Sequence, residues 1–277
     1  MNEPLPPAID PANPSIHRWP DLGLTLIHDF ITPAEEAVMI AAFHAVTPET
    51  TIKKRISQHY GHHFDYTTFG VTSRPTPLPE YISSFLPRLP LFPDRISTGA
   101  TSDPPCPITP DDGDVLPDQF TVQYYPPGAG IPPHVDTHSM FSEALYSLSY
   151  GSAVPMMFRQ AGQNEARKLR LPKRSLGGGG TEAPVAAATT APEHPSWELL
   201  LPARSLLVMT GASRYGYVHG IKGRKTDMVG GEAVARQGRY SITMRSVRRG
   251  ERVGCECAFP GVCDARVREE EEAAEGR

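Results

Sequence analysis

Residues 119–136 read QFTVQYYPPGAGIPPHVD and contain the features that decide the fold. The first seven residues are rich in aromatic and β-branched types and predict a strand. The prolines and glycines that follow predict a turn. His134 and Asp136 come next, and because side chains alternate along extended chain with a period of two, they would point the same way. The stretch therefore predicts a β-core with a pair of metal ligands at its mouth.

Similar strand patterns recur downstream. They are short, separated by turn residues, and predicted at Leu145 to Tyr150, Val154 to Arg159, Trp197 to Leu201, Ser205 to Thr210 and Arg239 to Val247. The 277 residues include 30 prolines and 24 glycines, which favour a loop-rich, mostly β architecture. We expect a mainly β fold with flanking helices (α+β), arranged as a sandwich or barrel-like roll.

Two helices are predicted before these strands. Residues 32–35, Thr-Pro-Ala-Glu, have the pattern of a capping box with proline at the first helical position. The buried face of that helix is predicted to contain Met39, Ala42, Phe43 and Val46. A second helix is predicted from Glu80 to Leu86, ended by Pro87.

Three segments are predicted to lie outside the core of a domain spanning residues 19–263. Residues 1–18 are proline-rich and predicted to be disordered or draped on the surface. Residues 160–196 read as a flexible insertion within the domain, and 264–277 as an acidic, mobile tail. The insertion begins with a basic run, which is either a solvated loop or a contact for a nucleic-acid backbone: Arg159, Arg167, Lys168, Arg170, Lys173 and Arg174.

The overall charge restricts the partners that we expect. The net charge is −4, and the tail carries six acidic and three basic residues, so the rest of the chain is nearly neutral. This argues against indiscriminate phosphate binding and leaves room for a local basic patch. No apolar run approaches a membrane span, and the N-terminus does not resemble a signal peptide. We expect an intracellular protein, cytoplasmic or nuclear, without membrane association.

A third potential ligand, His219, follows the strand predicted at residues 205–210. Two imidazoles and one carboxylate form a facial triad that suits Fe(II) and leaves positions open for co-substrate and oxygen. Arg239 and Arg245 follow on one predicted strand, and a planar guanidinium binds a carboxylate bidentately. The ordered set predicts a non-haem Fe(II) oxygenase with 2-oxoglutarate as co-substrate, its iron held by His134, Asp136 and His219.

The His-x-Asp pattern occurs twice, since His63-Phe64-Asp65 also matches it. The pattern alone is therefore weak. His63 has no sequel comparable to that of His134, and we interpret it as part of a loop; a contact to substrate is the alternative.

From Arg55 to Cys263 the chain resembles the AlkB family of 2-oxoglutarate- and Fe(II)-dependent dioxygenases. Within that family it is most similar to the animal branch that hydroxylates a modified wobble uridine of tRNA. The resemblance implies a double-stranded β-helix (jelly-roll) core. The stretches that carry it are RISQHYGHHFDY, DQFTVQYYPPGAGIPPHVDTHSMF, ARSLLVMTGASRYGYVHGIKGRK and GRYSITMRSVRRG.

The resemblance also implies roles for residues around the co-substrate. Arg239 would bind the distal carboxylate of 2-oxoglutarate, Tyr125 would form a hydrogen bond nearby, and Arg245 would lie near the metal-side end. The family commonly has Asn where this chain has Gln123, whose longer side chain puts that contact in question. The segment RISQHYGHHFDY would form a lid over a flipped base, with contacts from Arg55, Tyr60, Phe64 and Tyr66; the alternative is a packed hairpin.

Three of the four cysteines are clustered, and with His138 they make a Cys₃His set that suits structural zinc. Chance clustering is the alternative. The wobble-uridine branch has a similar set, which implies zinc held by His138, Cys255, Cys257 and Cys263. Cys106 stands apart and is interpreted as a loop thiol.

Three functions are compatible with these features. The first is hydroxylation of a tRNA wobble uridine, and the second is oxidative demethylation of alkylated DNA or RNA bases. The third is a catalytically silent nucleic-acid-binding module, against which the intact ligand set argues. The animal protein also carries an RNA-recognition domain and a methyltransferase. This chain has room for neither, so we expect RNA delivery through the basic insertion or a separate RNA-binding or methyltransferase partner.

Overall fold

The computed structural model describes residues 6–47, 54–65, 70–92, 116–162, 196–250 and 253–275. The strands in these ranges are β1 (Ala8–Asp10), β2 (Asn13–Trp19), β3 (Leu24–Ile27), β4 (Ile56–Gly61), β5 (Phe64–Asp65), β6 (Gly70–Val71), β7 (Gln119–Tyr125), β8 (Ile131–His134), β9 (Leu145–Tyr150), β10 (Val154–Gln160), β11 (Ser196–Leu201), β12 (Ser205–Met209), β13 (Tyr217–Ile221), β14 (Thr226–Val229), β15 (Glu232–Ala235) and β16 (Arg239–Arg245). The α-helices are α1 (Pro33–Val46), α2 (Glu80–Ser83), α3 (Gly211–Tyr215) and α4 (Asp264–Glu275).

Two antiparallel sheets make the core. The major sheet has eight strands in the order β1-β2-β3-β12-β9-β16-β7-β4, and the minor sheet has four in the order β11-β10-β13-β8. Buried side chains from both sheets pack together, among them Leu145 and Leu207 from the major sheet and Phe158 and Ile221 from the minor one. Two facing sheets with these crossovers form the double-stranded β-helix that the sequence predicted.

The major sheet separates an apolar layer from a polar one. Phe120, Val122 and Ile242 lie on its outer face and pack against Met39 and Phe43 of α1. The residues between them point inward, because successive side chains of a strand alternate between the two faces. Along β7 and β16 the inner face therefore presents polar groups between the two sheets, namely Thr121, Gln123, Tyr125, Arg239, Ser241, Thr243 and Arg245.

The capping box of α1 is confirmed. Thr32 accepts a hydrogen bond from the Glu35 backbone N–H, and the Glu35 carboxylate accepts one from the Thr32 backbone N–H. The prediction that Val46 is buried is wrong, since its side chain is 67% exposed. At that end of the helix His44 faces the sheet, where it hydrogen-bonds Tyr240, and Val46 lies on the solvent side.

The predicted second helix is shorter than its sequence pattern indicated. Helix α2 ends at Ser83, and a separate 3-10 turn covers Leu86–Arg88. Pro87 does not stop a helix but lies within the first residues of this turn, where the missing N–H of proline is tolerated.

The N-terminal segment differs from the prediction of disorder over residues 1–18. Strands β1 and β2 form a hairpin, and β2 pairs with β3 from Ile16 to Trp19. Trp19 is buried against the core between the sheets. The prolines are accommodated because the hairpin lies at the edge of the sheet, where a missing donor costs little. Residues 1–5 lie outside the described part of the chain.

The predicted mobile tail at 264–277 begins instead as helix α4. Asp264, Ala265 and Val267 are buried, whereas residues 269–274 are exposed. The tail is therefore anchored at its start, because its first turn packs beside the cysteine cluster. Most of the predicted insertion, residues 163–195, lies outside the described part; Gln160 ends β10 and Ser196 begins β11. Among the described helices, none is long and apolar enough to span a membrane.

Candidate metal centre and active-site cavity

Three predicted ligands converge on one point. His134 ends β8, and it lies directly opposite His219 on the neighbouring β13. Asp136 follows two residues beyond His134, and the ligand atoms of all three lie within 4.8 Å of one another. The approach of the two strands depends on Gly130, since a Cβ there would lie 2.3 Å from the Ile221 carbonyl oxygen. The prediction that these three residues form one cluster agrees with this geometry.

The two oxygens of Asp136 face different partners. Arg245 donates to Oδ1 from Nε and Nη2, at 2.9 and 2.7 Å. Oδ2 lies 3.5 Å from His219 Nε2 and faces the ligand cluster. Burial alone would raise the pKa of Asp136, but Arg245 and the nearby imidazoles hold it well below its usual range. The carboxylate is therefore ionised and offers one oxygen to a metal.

Both imidazoles suit metal binding. Burial and the neighbouring His134 lower the pKa of His219 to about 3, against the opposing effect of Asp136, so its ring is neutral. His134 donates from Nδ1 to the Pro132 carbonyl at 3.0 Å, which fixes the tautomer with a bare Nε2. Two imidazoles and one ionised carboxylate, on one side of a cavity, fit an Fe(II) ion with open coordination positions.

A cavity of about 490 Å³ lies between the sheets beside these ligands. Its floor is the polar inner face of the major sheet, and its apolar side includes Ile131, Met156 and Met209. Arg239 and Arg245 occupy opposite ends of β16, about 20 Å apart along the strand. Because they are six residues apart, both face the cavity, one remote from the ligand cluster and the other in contact with Asp136.

Arg239 is buried, with 2% of its surface exposed. Its Nη2 donates to Ser149 Oγ at 2.9 Å, while Nε and Nη1 have no hydrogen-bond partner within the described residues. Leaving charged donors unsatisfied in the interior is costly. A carboxylate can pair bidentately with a guanidinium through Nη1 and Nη2, whose N–H groups point in the same direction, so this end of the cavity fits the distal carboxylate of 2-oxoglutarate.

Tyr125 and Gln123 lie beside this guanidinium. The Tyr125 hydroxyl donates to Gln123 Oε1 at 2.5 Å, and Gln123 Nε2 donates to Ser57 Oγ at 3.1 Å. Burial raises the pKa of Tyr125, although the positive charges of Arg239 and Arg55 act in the opposite direction. The hydroxyl therefore stays protonated. The longer Gln123 side chain thus supports the tyrosine and reaches across to β4.

The side chains of the predicted lid segment point in different directions, because successive residues of a strand alternate between its two faces. It forms β4, the edge strand paired with β7, and Arg55 lines the cavity. Tyr60 points to the outer face, where it packs against the helix-side core and donates to Gln58. Phe64 is buried with its ring 5.5 Å from Phe141. Both side chains pack in the hydrophobic clusters and are not among the described residues that line the cavity, so the structure does not bring Tyr60 and Phe64 together with Arg55. Tyr66 lies outside the described residues.

Two cavity residues on β4 were missed, His59 and Ser57. His59 lies near Thr121 Oγ1, with 3.3 Å between its Nδ1 and that hydroxyl. Period-two alternation from Arg55 along β4 would have found both residues, had this segment been predicted as a strand. His63, the rival ligand, instead hydrogen-bonds Thr76 and is not part of the ligand cluster.

A second cluster contains His138, Cys255, Cys257 and Cys263, whose ligand atoms also lie within 4.8 Å of one another. Cys257 Sγ is 3.4 Å from His138 Nδ1. Hydrogen bonds from the other two thiols lower the pKa of Cys263, and burial lowers that of His138. Four soft or imidazole donors held this closely fit tetrahedral Zn(II) with no open position. Cys106 lies outside the described residues.

The sequence pattern of the 2OG-Fe(II) oxygenase superfamily matches residues 23–245. The chain belongs to this superfamily. It is 34% identical over 246 residues to the Arabidopsis thaliana protein named "Alkylated DNA repair protein ALKBH8 homolog", covering 88% of this chain and 62% of that protein. This chain is also 30% identical over 273 residues to the Xenopus tropicalis protein named "tRNA (carboxymethyluridine(34)-5-O)-methyltransferase alkbh8". It is 31% identical over 267 residues to the Mus musculus protein of the same name.

Those two alignments cover 91% and 87% of this oxygenase but 35% and 32% of the relatives. The chain thus spans from about a third to three fifths of the length of these three relatives. Together with the superfamily match, they confirm the prediction of an AlkB-like 2-oxoglutarate-dependent dioxygenase.

Proposed function

We propose that this oxygenase uses Fe(II) and 2-oxoglutarate to oxidise a modified nucleobase, and that its substrate is the wobble uridine of a tRNA. One observation supports the chemistry. The cluster of His134, Asp136 and His219 and the buried, partly unpaired guanidinium of Arg239 border the same cavity. The names of the two animal relatives, which specify a carboxymethyluridine at position 34 of tRNA, support the substrate.

In this proposal His134, Asp136 and His219 hold the iron. When bound, Fe(II) supplies oxidation of a substrate C–H bond by O₂, coupled to conversion of 2-oxoglutarate to succinate and carbon dioxide. Arg245 keeps Asp136 ionised and occupies its Oδ1, so that only Oδ2 is offered to the metal. Because Asp136 would bind through one oxygen only, an iron held by these three residues would keep positions open for the co-substrate.

Arg239 orients the co-substrate from the far end. Its guanidinium, which has an unpartnered Nη1, binds the distal carboxylate, and the Tyr125 hydroxyl, held by Gln123, borders the same carboxylate. Because these groups are buried and fixed before the co-substrate enters, little reorganisation accompanies binding. The keto-acid end is thereby directed along β16 toward the ligand cluster.

The substrate enters at the edge formed by β4. Arg55, Ser57 and His59 are exposed side chains that line the cavity there. A guanidinium at this rim suits a backbone phosphate, and an imidazole suits stacking with an unpaired base. The wobble base lies in a loop and is already unpaired, so that unstacking it costs less than extracting a base from a duplex.

Demethylation of alkylated bases is the second candidate, favoured by the name of the Arabidopsis relative. Purified protein with Fe(II) and 2-oxoglutarate should be incubated with carboxymethyluridine-containing tRNA and, separately, with methylated oligonucleotides. Our proposal expects a mass gain of one oxygen on the tRNA nucleoside. Formaldehyde release from the methylated oligonucleotides alone would support the second candidate. Iron binding without succinate formation on any substrate would support a silent binding module.

We further propose that Zn(II) occupies the Cys₃His cluster and stabilises the rim of the cavity. Elemental analysis of protein purified without added metal should show one zinc per chain. A protein with no zinc and four free thiols would contradict this assignment.

Delivery of the tRNA by the basic insertion or by a separate RNA-binding or methyltransferase partner is also a proposal. If the chain binds tRNA alone through phosphate contacts, its affinity should fall steeply with salt. Turnover that depends on an added partner would favour the second route.

A further inference from the structure

The segment 136–139 connects the two ligand clusters, since Asp136 belongs to one and His138 to the other. It lies outside the strands, so strand pairing does not supply hydrogen bonds for its backbone N–H and C=O groups. Its hydrogen bonds come mainly from charged side chains that follow it far along the chain.

Arg214 is the residue that spans the two clusters. Its Nη1 donates to the Asp136 carbonyl at 3.0 Å, and its Nη2 donates to the Thr137 carbonyl at 2.8 Å. The side chain is 1% exposed, and its guanidinium lies 4.7 Å from the centre of the Tyr215 ring. That ring in turn stands edge-on to His138 at 5.0 Å. One planar guanidinium thus fixes two successive carbonyls directly beside both ligands.

Asp264 and Arg248 hold the other half of the segment. The Asp264 carboxylate accepts from the His138 and Ser139 backbone N–H groups at 2.7 and 3.0 Å. Arg248 donates to the His138 carbonyl at 2.9 Å. These contacts belong to the cysteine-rich end of the chain, whereas Arg214 reaches the Asp136 carbonyl from α3.

We propose that Arg214 is a positioning residue for Asp136, setting the backbone of this ligand against the Cys₃His cluster. The inference rests on the proposed iron site. A guanidinium suits this role because its two parallel N–H groups match two adjacent carbonyls, whereas lysine offers a single point of charge. Arg214 is not among the described residues that line the cavity, and it acts through the main chain of Asp136.

The charge of Arg214 and its hydrogen bonds to the backbone predict opposite changes in metal affinity when the side chain is removed. Removing a buried positive charge near a divalent metal would strengthen metal binding if charge alone mattered. Removing the two hydrogen bonds would weaken it if Arg214 positions Asp136. The direction of the change in metal affinity therefore discriminates between the two roles.

The test is anaerobic titration of Arg214→Met, Arg214→Lys and wild-type protein with Mn(II) in the presence of 2-oxoglutarate, with zinc content measured in parallel. Arg214→Met should raise the Kd for Mn(II) about 10- to 100-fold, the range seen when groups supporting a metal ligand are removed, with one zinc per chain retained. Arg214→Lys should lie between the two. Arg204→Met removes an arginine that pairs with Asp29 and Glu36, and it should leave the Kd unchanged.

An unchanged or lower Kd in folded Arg214→Met would overturn the proposal. If that variant does not fold, Arg214→Lys decides the matter, and a wild-type Kd there would overturn it equally. Failure of the wild-type protein to bind Mn(II) at all would count instead against the iron site itself. The two failures are thus distinguishable.

Discussion

The two ligand clusters share one short segment but differ in what surrounds them. The His134, Asp136 and His219 cluster opens on a cavity of about 490 Å³ and is built from residues of β8, β13 and the segment after β8. The Cys₃His cluster has four protein donors and packs against Tyr215 and the first turn of α4. An incomplete donor set beside a cavity suits chemistry, whereas a complete and buried set suits stability.

The largest expected effect comes from removing a donor from the open cluster. His134→Ala should abolish succinate formation, because two remaining ligands do not hold the iron, while circular dichroism and the thermal midpoint stay near wild type. The ring of His134 contributes little to the core, since it is only partly buried. Turnover at the wild-type rate in this variant would remove the basis of the iron assignment.

The next effect lies at the far end of the same cavity. Arg239→Met should raise the KM for 2-oxoglutarate about 10- to 100-fold, because a charge-assisted pair is worth about 1.5–3 kcal/mol. Arg239→Lys should give an intermediate KM, since lysine keeps the charge without the planar fork. Steady-state kinetics with varied 2-oxoglutarate would measure both. An unchanged KM in Arg239→Met would show that this guanidinium does not bind the co-substrate.

The closed cluster should respond in stability. Cys257→Ser should lower zinc content and reduce the free energy of unfolding by about 2 kcal/mol, or about 4–8 °C in Tm. The matched control is Cys106→Ser, a cysteine distant from the cluster in sequence. Equal zinc and Tm in both variants would contradict a structural zinc site.

The smallest effect concerns neighbouring residues on opposite faces of β4. His59→Ala should raise the KM for the nucleic-acid substrate about fivefold, corresponding to the loss of about 1 kcal/mol of base stacking. Tyr60→Phe should leave that KM unchanged, because its hydroxyl donates to Gln58 on the helix side, away from the cavity. A larger change in KM for Tyr60→Phe than for His59→Ala would show that the faces have been assigned the wrong way round.

Much of the site could be predicted because its signals are local. Three features could be recognised in order along the chain: the strand at 119–125, the spacing of His134 and Asp136, and the two arginines of β16. The limits of β7 and β9 agree with the predicted ones, since both strands are runs of strand-forming residues bounded by turn residues. The capping box at the start of α1 is similarly local.

Segments without a local signal were misjudged. The proline-rich N-terminus forms strands only because β3 provides an edge with which β2 can pair. Strand β8 contains two prolines and would not be predicted from propensity, yet β13 holds it in place. The sequence also did not show that Tyr60 and Phe64 pack in the hydrophobic clusters, because strand alternation and the packing of Phe64 on Phe141 decide this.

The sequence by itself determined the ligand types, their order and the class of chemistry, because residue identity and spacing along single strands specify these. Only the tertiary structure decided which groups meet across the fold. Arg245 contacts Asp136, Gln123 hydrogen-bonds Ser57 of β4, and Arg214 contacts the Asp136 and Thr137 carbonyls, which lie 78 and 77 residues before it. These contacts form between strands and loops distant in sequence, where no periodicity or spacing specifies which residues meet.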